Sequence, residues 1–556
     1  MVATLLQRRR SLPDLAISTI IGFCSFLYLT GGKILNPSNN KWLFGIDSDA
    51  NFIGWQFFRR TPILQFPIGN SPNLGTGFAS SVVYTDSIPL LAIPFKFLNF
   101  LLPNAFQYFG LWVLVCFVLQ TVFAFRLLKH WMDDRTSAHL ASVFFVIAPC
   151  FLFRFSVGAN GHLALCGQFL VLWAMHLLLQ PQHRQRTWLL LCSASILIHV
   201  YLFSMVFAFF VVSVATHPSA NIRGRLNSLK QSALHIGSVL TASIGIFWFV
   251  GGFMSAGSDG GDAYVGATLT TFIDPMATVN NYSWSFLFPD ISYGGGLVEN
   301  VSFLGVATLI LLPLVVVFLI RSRKAINTRK TALIISAILL FAFSLSPDIW
   351  LASRKLVSYN PPPVLAQIFQ SFRTVDRYSW VLVYLLMTIA FASLTFFVRK
   401  QWLRVTLLLA LLGVQFFDMR TSISETRERF TTSSYQSPLT SPLWNKLGPQ
   451  YKRLETVPPL NLDPHWFDFA LYADSWGLSS NAAGMARVSD EAFAALVAKQ
   501  QSEINRLQFR SDTLYVLTNY PPNPMSEEIL RRFGTSNFEQ SGVRAAEVDG
   551  FVIIAP

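Results

Sequence analysis

Asp47 and Asp49 stand one residue apart in the stretch GIDSDANFIGWQFFRR, residues 45–60, which closes on the arginine pair Arg59 and Arg60. A carboxylate can take the proton of an incoming hydroxyl or amine while a bond to a leaving phosphate breaks. An arginine can hold that phosphate, because its planar guanidinium meets two phosphate oxygens at once. Asp47-Ser48-Asp49 could also seat a divalent cation, although two carboxylates without further acidic neighbours are a sparse ligand set. The same residue types recur along the chain at Asp86, Arg154, His162, His199, Asp274, Glu299, Arg373, Asp376 and Arg377.

The elements that must position these groups are membrane-spanning helices. Of the 556 residues, 52% are hydrophobic and 13% charged, and the mean hydropathy is +0.46, too apolar for a soluble chain of this length. Repeated apolar runs closed by charged or turn residues match a hydrocarbon core about 30 Å thick. The net charge of +13 does not point to nucleic acid, because of where it lies. From residue 418 onward 13 basic side chains face 16 acidic ones, so the first 417 residues hold the whole excess, about +16. Basic residues in short loops orient a membrane protein. All five cysteines (24, 116, 150, 166 and 192) fall in or beside apolar runs, which argues against a disulfide framework or a thiolate metal site.

Arg8, Arg9 and Arg10 before the first apolar run place the N-terminus in the cytoplasm. Residues 33–106 then form a long outer loop. Its apolar piece from Ser87 to Leu102 is expected to lie along the interface, since a span there would turn the basic loops around Lys129, Arg184 and Arg223 outward. Spans are expected near residues 107–126, 138–154, 162–179, 187–199, 200–216, 231–252, 301–320, 331–347, 379–398 and 401–417. With the first, that makes about 11. The expected organisation is a transmembrane domain over residues 1–417 and a small soluble α/β domain over 418–556, outside the cytoplasm. In the latter, DEAFAALVAKQQSEINRLQF has helical spacing, while DTLYVLT and GFVIIAP read as strands.

Under this topology every candidate group falls on the outer side, and the span interiors are nearly free of charge. A transporter places ionisable groups at mid-membrane, whereas an enzyme acting on a lipid head group needs them at one interface. Arg373 and Arg377, four apart, would share a face if their segment is helical, and could grip a phosphate. Each candidate also has a structural reading. Arg59 and Arg60 could anchor to lipid head groups, Asp86 could cap the helix behind it, and His162 and His199 could pack or cap. Glu299 could begin a span, and Asp376 could pair with the flanking arginines.

The cytoplasmic N-terminus, the large first outer loop with an early acid, about 11 spans and an outer C-terminal domain resemble the GT-C glycosyltransferases. That group includes protein O-mannosyltransferases, aminoarabinose transferases and oligosaccharyltransferase catalytic subunits. More narrowly, GWQFFRR, FPIGNSPNLG, YTDSIPLLAIPFK, QYFGLW, VENVSFLG and FRTVDRYSW resemble an uncharacterised family of bacterial multi-pass proteins that is itself GT-C-like. The resemblance implies a hexosyl- or pentosyltransferase of the bacterial inner membrane with a polyprenyl-phosphate sugar donor. It also implies inversion at the sugar and a catalytic carboxylate in the first outer loop, at Asp47 or Asp49. The acceptor would be an envelope glycan, lipid or protein. Arg59, Arg60, Asp86, His162, His199, Glu299, Arg373 and Arg377 are the expected substrate-binding residues. Metal-dependent GT-C members carry a second acidic motif, but FRFSVGANGH has no carboxylate, so no cofactor is expected and a divalent metal is left open. The Trp-Trp-Asp motif of oligosaccharyltransferases is absent, which speaks against Asn-glycosylation. The same residues leave open a lipid-linked glycan transporter or flippase, and a non-catalytic polysaccharide assembly factor.

Overall fold

The computed structural model describes residues 2–78, 80–155, 161–217, 225–255, 265–277, 282–291, 301–431, 435–506, 508–518 and 544–556. Glu299 lies outside the described residues. The helices are α1 (Val2–Thr30), α2 (Ser48–Arg59), α3 (Pro89–Phe97), α4 (Phe109–Leu128), α5 (Arg135–Val146), α6 (Pro149–Leu152) and α7 (Phe169–Leu178). They continue with α8 (Gln185–Ile196), α9 (Val200–Thr216), α10 (Arg225–Phe249), α11 (Val306–Arg321), α12 (Thr328–Ser344) and α13 (Pro363–Ser371). Then follow α14 (Trp380–Phe397), α15 (Gln401–Asp418), α16 (Arg420–Thr431), α17 (Pro442–Leu447), α18 (Trp466–Trp476) and α19 (Asp490–Asn505).

A helix occupies each of the eleven expected spans, but length separates them. Five stretches are long and apolar enough to cross a membrane: Leu12–Thr30, Phe109–Leu128, Leu229–Phe249, Val375–Phe397 and Gln401–Asp418. A sixth is reached if Arg135–Val146 and Pro149–Phe155, bent by 43° at their break, act as one. Ala164–Leu178, Val200–Thr216 and Val306–Arg321 are apolar but shorter. The 12 residues of α8 reach only about 18 Å and cannot cross a core of about 30 Å alone. Length and composition therefore support five or six spans among the described residues.

The chain forms two compact units. The first comprises Met1–Trp42, Ala105–Ile244 and Gly260–Ser433. In it α1 and α4 approach closely at Gly22, where an added Cβ would fall 2.6 Å from the Val118 Cα. Thr121 Oγ1 donates across that contact to the Ser18 carbonyl at 2.9 Å. A small residue at the crossing and a hydroxyl bridging it are how helices associate where water supplies no drive. Deeper in, Gln120 Nε2 donates to Tyr384 Oη at 2.8 Å, Tyr384 donates on to Gln168, and Gln168 Nε2 donates to the Cys150 carbonyl at 3.0 Å. This run of hydrogen bonds pairs these groups within the helix bundle, as a low-dielectric interior favours, and leaves Gln120 Oε1 buried without a partner among the described residues.

The second unit comprises Leu43–Asn104, Gly245–Asp259 and Ser434–Pro556. These units do not follow the expected division at residue 417, because residues 43–104 of the first loop pack with the C-terminal residues. Two short antiparallel pairs, β1 (Met276–Ala277) with β2 (Tyr282–Ser283) and β3 (Asp348–Leu351) with β4 (Arg354–Ser358), belong to the first unit, and the sheet of the second uses five strands. They are β5 (Arg453–Val457), β6 (Ser479–Ser480), β7 (Thr513–Leu517), β8 (Arg544–Val548) and β9 (Phe551–Ala555), in the order β6-β5-β7-β9-β8. β5 runs parallel to β6 and β7, while β9 is antiparallel to β7 and β8. Asp549-Gly550, both at positive φ, turns β8 into β9, the backbone a two-residue hairpin needs. The strands read in DTLYVLT and GFVIIAP are β7 and β9, and the expected helix is α19, capped by Ser489, whose Oγ accepts from the Ala492 N–H. Val457, Ile504, Tyr515, Leu517, Val552 and Ile554 form the core of this sheet. The first loop joins its edge: Leu74 bridges Ser480, and the Thr76 N–H donates to the Ser480 carbonyl at 3.0 Å.

Candidate active site

The two acids read from the sequence lie at the start of α2. Gly45 takes φ +84, which an L side chain resists, and the tight turn lets its N–H donate to Asp49 Oδ1 at 3.0 Å. Ser48 Oγ closes the turn on the Leu43 carbonyl at 2.8 Å. Asp47 occupies the N-cap position and is half-buried, whereas Asp49, in the first turn, is only 7% exposed. Phe44 seals the turn against Phe52, Tyr435 and Phe467, with ring centres 5.1–5.7 Å apart.

Helix α18 packs beside α2 and brings a third carboxylate, Asp468, which is 8% exposed. Tyr435 donates its phenol to Asp468 Oδ1, and His465 Nδ1 lies 3.0 Å from Asp468 Oδ2. Burial pushes the Asp49 carboxyl up to about 8. The neighbouring Asp47 and Asp468 charges push the same way, while the Gly45 and Ile46 N–H groups pull against them. Burial, with Asp468 and Asp49 adding to it, also raises the Tyr435 phenol. A carboxyl held near neutrality is a stronger base than an ordinary aspartate and is still partly ionised at working pH. Asp468, His465 and Tyr435 were not legible as site residues, since only the fold carries α18 to α2.

The far end of α2 is basic, and its cations are committed. Arg59, 6% exposed, donates Nε to Asn99 Oδ1 at 2.7 Å, Nη1 to the Asn104 carbonyl at 2.9 Å and Nη2 to the Pro103 carbonyl at 3.0 Å. Its guanidinium lies 5.4 Å from the Trp55 ring. Arg59 therefore ties α2 to the segment after α3 instead of presenting an open fork to a phosphate. Arg60, although exposed, pairs with the largely buried Asp474 at 3.1 Å. Burial raises the Asp474 carboxyl to about 6 against the opposing pull of Arg60 and Arg59. Lys96, 2% exposed, donates to Thr61 Oγ1 at 2.5 Å and stands 4.2 Å from the Phe58 ring, and burial brings its ammonium down to about 8.

Asp86 does not cap α3. It sits at φ +51, and the residue at the N-cap position is Ile88, at φ +53, a conformation costly for a β-branched side chain. Asn51 Nδ2 holds this strained turn by donating to the Thr85 and Asp86 carbonyls, each at 3.0 Å, and Ser87 Oγ donates back to the Asn51 carbonyl at 2.7 Å. The approach is possible because residue 54 is glycine: a Cβ there would lie 2.0 Å from Thr85 Oγ1.

His162, His199, Arg373 and Arg377 belong to the other unit. His199 caps α9, its Nδ1 accepting from the Tyr201 N–H at 3.2 Å. His162 is half-buried, and its carbonyl accepts from the Cys166 thiol. Arg373 is exposed in a bend, whereas Arg377 is buried in a 3-10 turn with its guanidinium 4.6 Å from the Tyr201 ring. The shared helical face expected of the two arginines does not form, because their segment is not an α-helix. Among the described residues no three His, Cys, Asp or Glu side chains converge as metal ligands. Asp47 and Asp49 do not by themselves make up such a set, and no step is assigned to a metal.

Helices long and apolar enough to cross a membrane mark the chain as an integral membrane protein. The chain belongs to the family described as domain of unknown function DUF6311, whose model matches residues 19–420, and the DUF6311 C-terminal domain matches residues 443–556. No curated protein matches it in sequence. Among solved structures it is similar to the oligosaccharyltransferase AglB of Archaeoglobus fulgidus in complex with an inhibitory peptide and a dolichol-phosphate. That similarity covers 91% of this chain and 69% of that one, at 10% identity and TM-score 0.44. The apo form of the Archaeoglobus fulgidus oligosaccharyltransferase gives 11% identity and TM-score 0.45 over the same shares. Likeness this distant fixes neither fold nor activity.

Proposed function

We propose that this protein is a membrane glycosyltransferase that moves a sugar from a polyprenyl-phosphate donor to an envelope glycan, lipid or protein at the outer face of a bacterial inner membrane. The observation that carries the reading is Asp49: a nearly buried carboxylate at the start of α2, next to Asp47 and near Asp468, raised to about 8. Structural carboxylates are ordinarily exposed or paired with a cation. One kept buried beside other acids stores the basicity that proton abstraction uses.

In this reading Asp49 takes the proton of the acceptor hydroxyl as the acceptor oxygen bonds to the anomeric carbon. The carbon–oxygen bond to phosphate breaks, its electron pair leaves on the polyprenyl phosphate, and the sugar inverts. Asp47 acts as the charge that keeps Asp49 basic. Arg373 and Arg377 are proposed to bind the donor phosphate, and Asp86, His162, His199 and Glu299 to contact sugar or acceptor. Arg59 and Arg60 are reassigned to positioning α2.

The test is sugar transfer from radiolabelled polyprenyl-phosphate sugars by the purified protein in lipid, for wild type, Asp47→Asn and Asp49→Asn, with and without chelator. Turnover lost in Asp49→Asn while the variant keeps its fold supports the reading. Transfer unaffected by either substitution sinks it.

A further inference from the structure

Two adjoining hollows in the first unit share Tyr28 of α1 and Phe416 of α15. One, of about 250 Å³, is lined by Arg420, Ser424 and Arg427 of α16. The other, of about 200 Å³, continues along α1 past Cys24 and is almost wholly apolar. Positions 420, 424 and 427 are spaced four and three apart, so they share one face of α16. Helices α1 and α15 both contain membrane-length stretches, and α16 begins directly after α15 ends. The polar hollow therefore sits at the end of a span, where lipid head groups lie, and the apolar one runs back along it.

The two cations here are uncommitted in charge. Arg427 lies 4.7 Å from the Tyr28 ring, and Arg420 lies 3.6 Å from the Phe286 ring and 4.5 Å from that of Phe417. One Arg420 N–H donates to the Phe417 carbonyl at 3.0 Å. Neither arginine forms a salt bridge among the described residues. The nearby Asp418 carboxylate accepts instead from Ser285 Oγ and the N–H groups of Phe286 and Leu287. Stacking on rings fixes a guanidinium plane and leaves edge N–H groups for a phosphate.

We infer that this groove binds an anionic phospholipid. Its phosphate sits between Arg420 and Arg427 beside the Ser424 hydroxyl, and one acyl chain passes over Phe416 toward Cys24. Charge complementarity selects the occupant: two cations at the polar end call for an anionic head group, and an apolar channel along a span calls for a hydrocarbon chain. Its lining residues belong to the first unit, whereas Asp47, Asp49 and Asp468 belong to the second, and the inference does not depend on the proposed transfer reaction.

Cys24 is the exposed one of the five cysteines and reports on the groove directly. The full chain in detergent is given phosphatidylglycerol, phosphatidylcholine or inorganic phosphate. Bound lipid is read by native mass spectrometry, and maleimide modification of Cys24 by peptide mapping. Phosphatidylglycerol is expected to remain bound one to one and to slow Cys24 modification, with the other two doing neither. Arg420→Gln with Arg427→Gln should weaken that protection about ten-fold or more, the loss of charge-assisted hydrogen bonds, while Arg427→Lys keeps part of it. Should the double variant not fold, Ser424→Phe, which fills the groove from an exposed position, should displace the lipid. Equal protection by phosphatidylcholine or by free phosphate overturns the inference. So does protection that needs no lipid and grows with protein concentration, which would mean a second copy covers the face. Phosphatidylglycerol retained in both well-folded variants likewise overturns it.

Discussion

At the scale of single residues, Asp47 and Asp49 share one turn of chain, yet Asp49 is buried and accepts the Gly45 N–H where Asp47 is half-buried at the N-cap position. Raised to about 8, Asp49 as a base gives a rate that climbs with pH and levels off above about 8. Asp49→Asn should lower turnover by about 10²–10⁴-fold, the usual worth of a positioned base. Asp47→Asn removes a like charge that raises Asp49, so the inflection should move to lower pH; a pH–rate profile of the variant checks this. Stability supplies an independent reading. A carboxyl whose folded pKa lies above its unfolded value of 3.8 holds its proton more tightly in the folded state between about pH 4 and about pH 8. Stability therefore falls as pH rises through that window. Asp49→Asn escapes the loss and should melt higher than wild type at pH 8, with the gap closing toward pH 4. Thermal melts of the two proteins at both pH values measure it. A substitution that stabilises the fold and removes activity marks a site where function has been kept against stability.

At the scale of elements, α2 is the positioning device, and its fit depends on small and planar groups. Gly54→Val would drive a side chain into Thr85 and Ser87, whose hydroxyls already lie within 2.0–2.6 Å of a Cβ at this position. Overpacking of this kind costs about 1–3 kcal/mol, and it should displace the strained turn at Asp86 and Ile88 as well. The expected outcome is a lower melting temperature together with lost turnover, whereas Gly413→Ala, with open space around it, should change neither. Arg59 illustrates what spacing cannot reveal. The sequence pairs it with Arg60 as a possible anion grip, yet its three donor nitrogens are spent on Asn99, Pro103 and Asn104. His199, by contrast, had a capping role readable beside the functional one, and the break between α8 and α9 falls at the expected place.

At the scale of the whole molecule, the first loop and the C-terminal residues form one compact unit, although more than 300 residues separate them in the chain. The orientation proposed for them is testable without an activity assay. Reporter fusions at residues 183 and 327 should read as cytoplasmic and a fusion after residue 556 as external; the opposite pattern would remove the outer-face reading.

The sequence alone determined that this is a helical membrane protein. It also placed a helix at every expected span, marked β7, β9 and α19, and singled out the Asp47–Asp49 pair. These follow from local hydropathy, period and residue type, which nearest neighbours along the chain decide. Only the tertiary structure decided that Asp49 is buried while Asp47 is half-open, that α18 delivers Asp468 beside them, and that Arg59 is a brace. Burial and charge proximity depend on segments distant in sequence, and it is those two quantities that raise the Asp49 carboxyl.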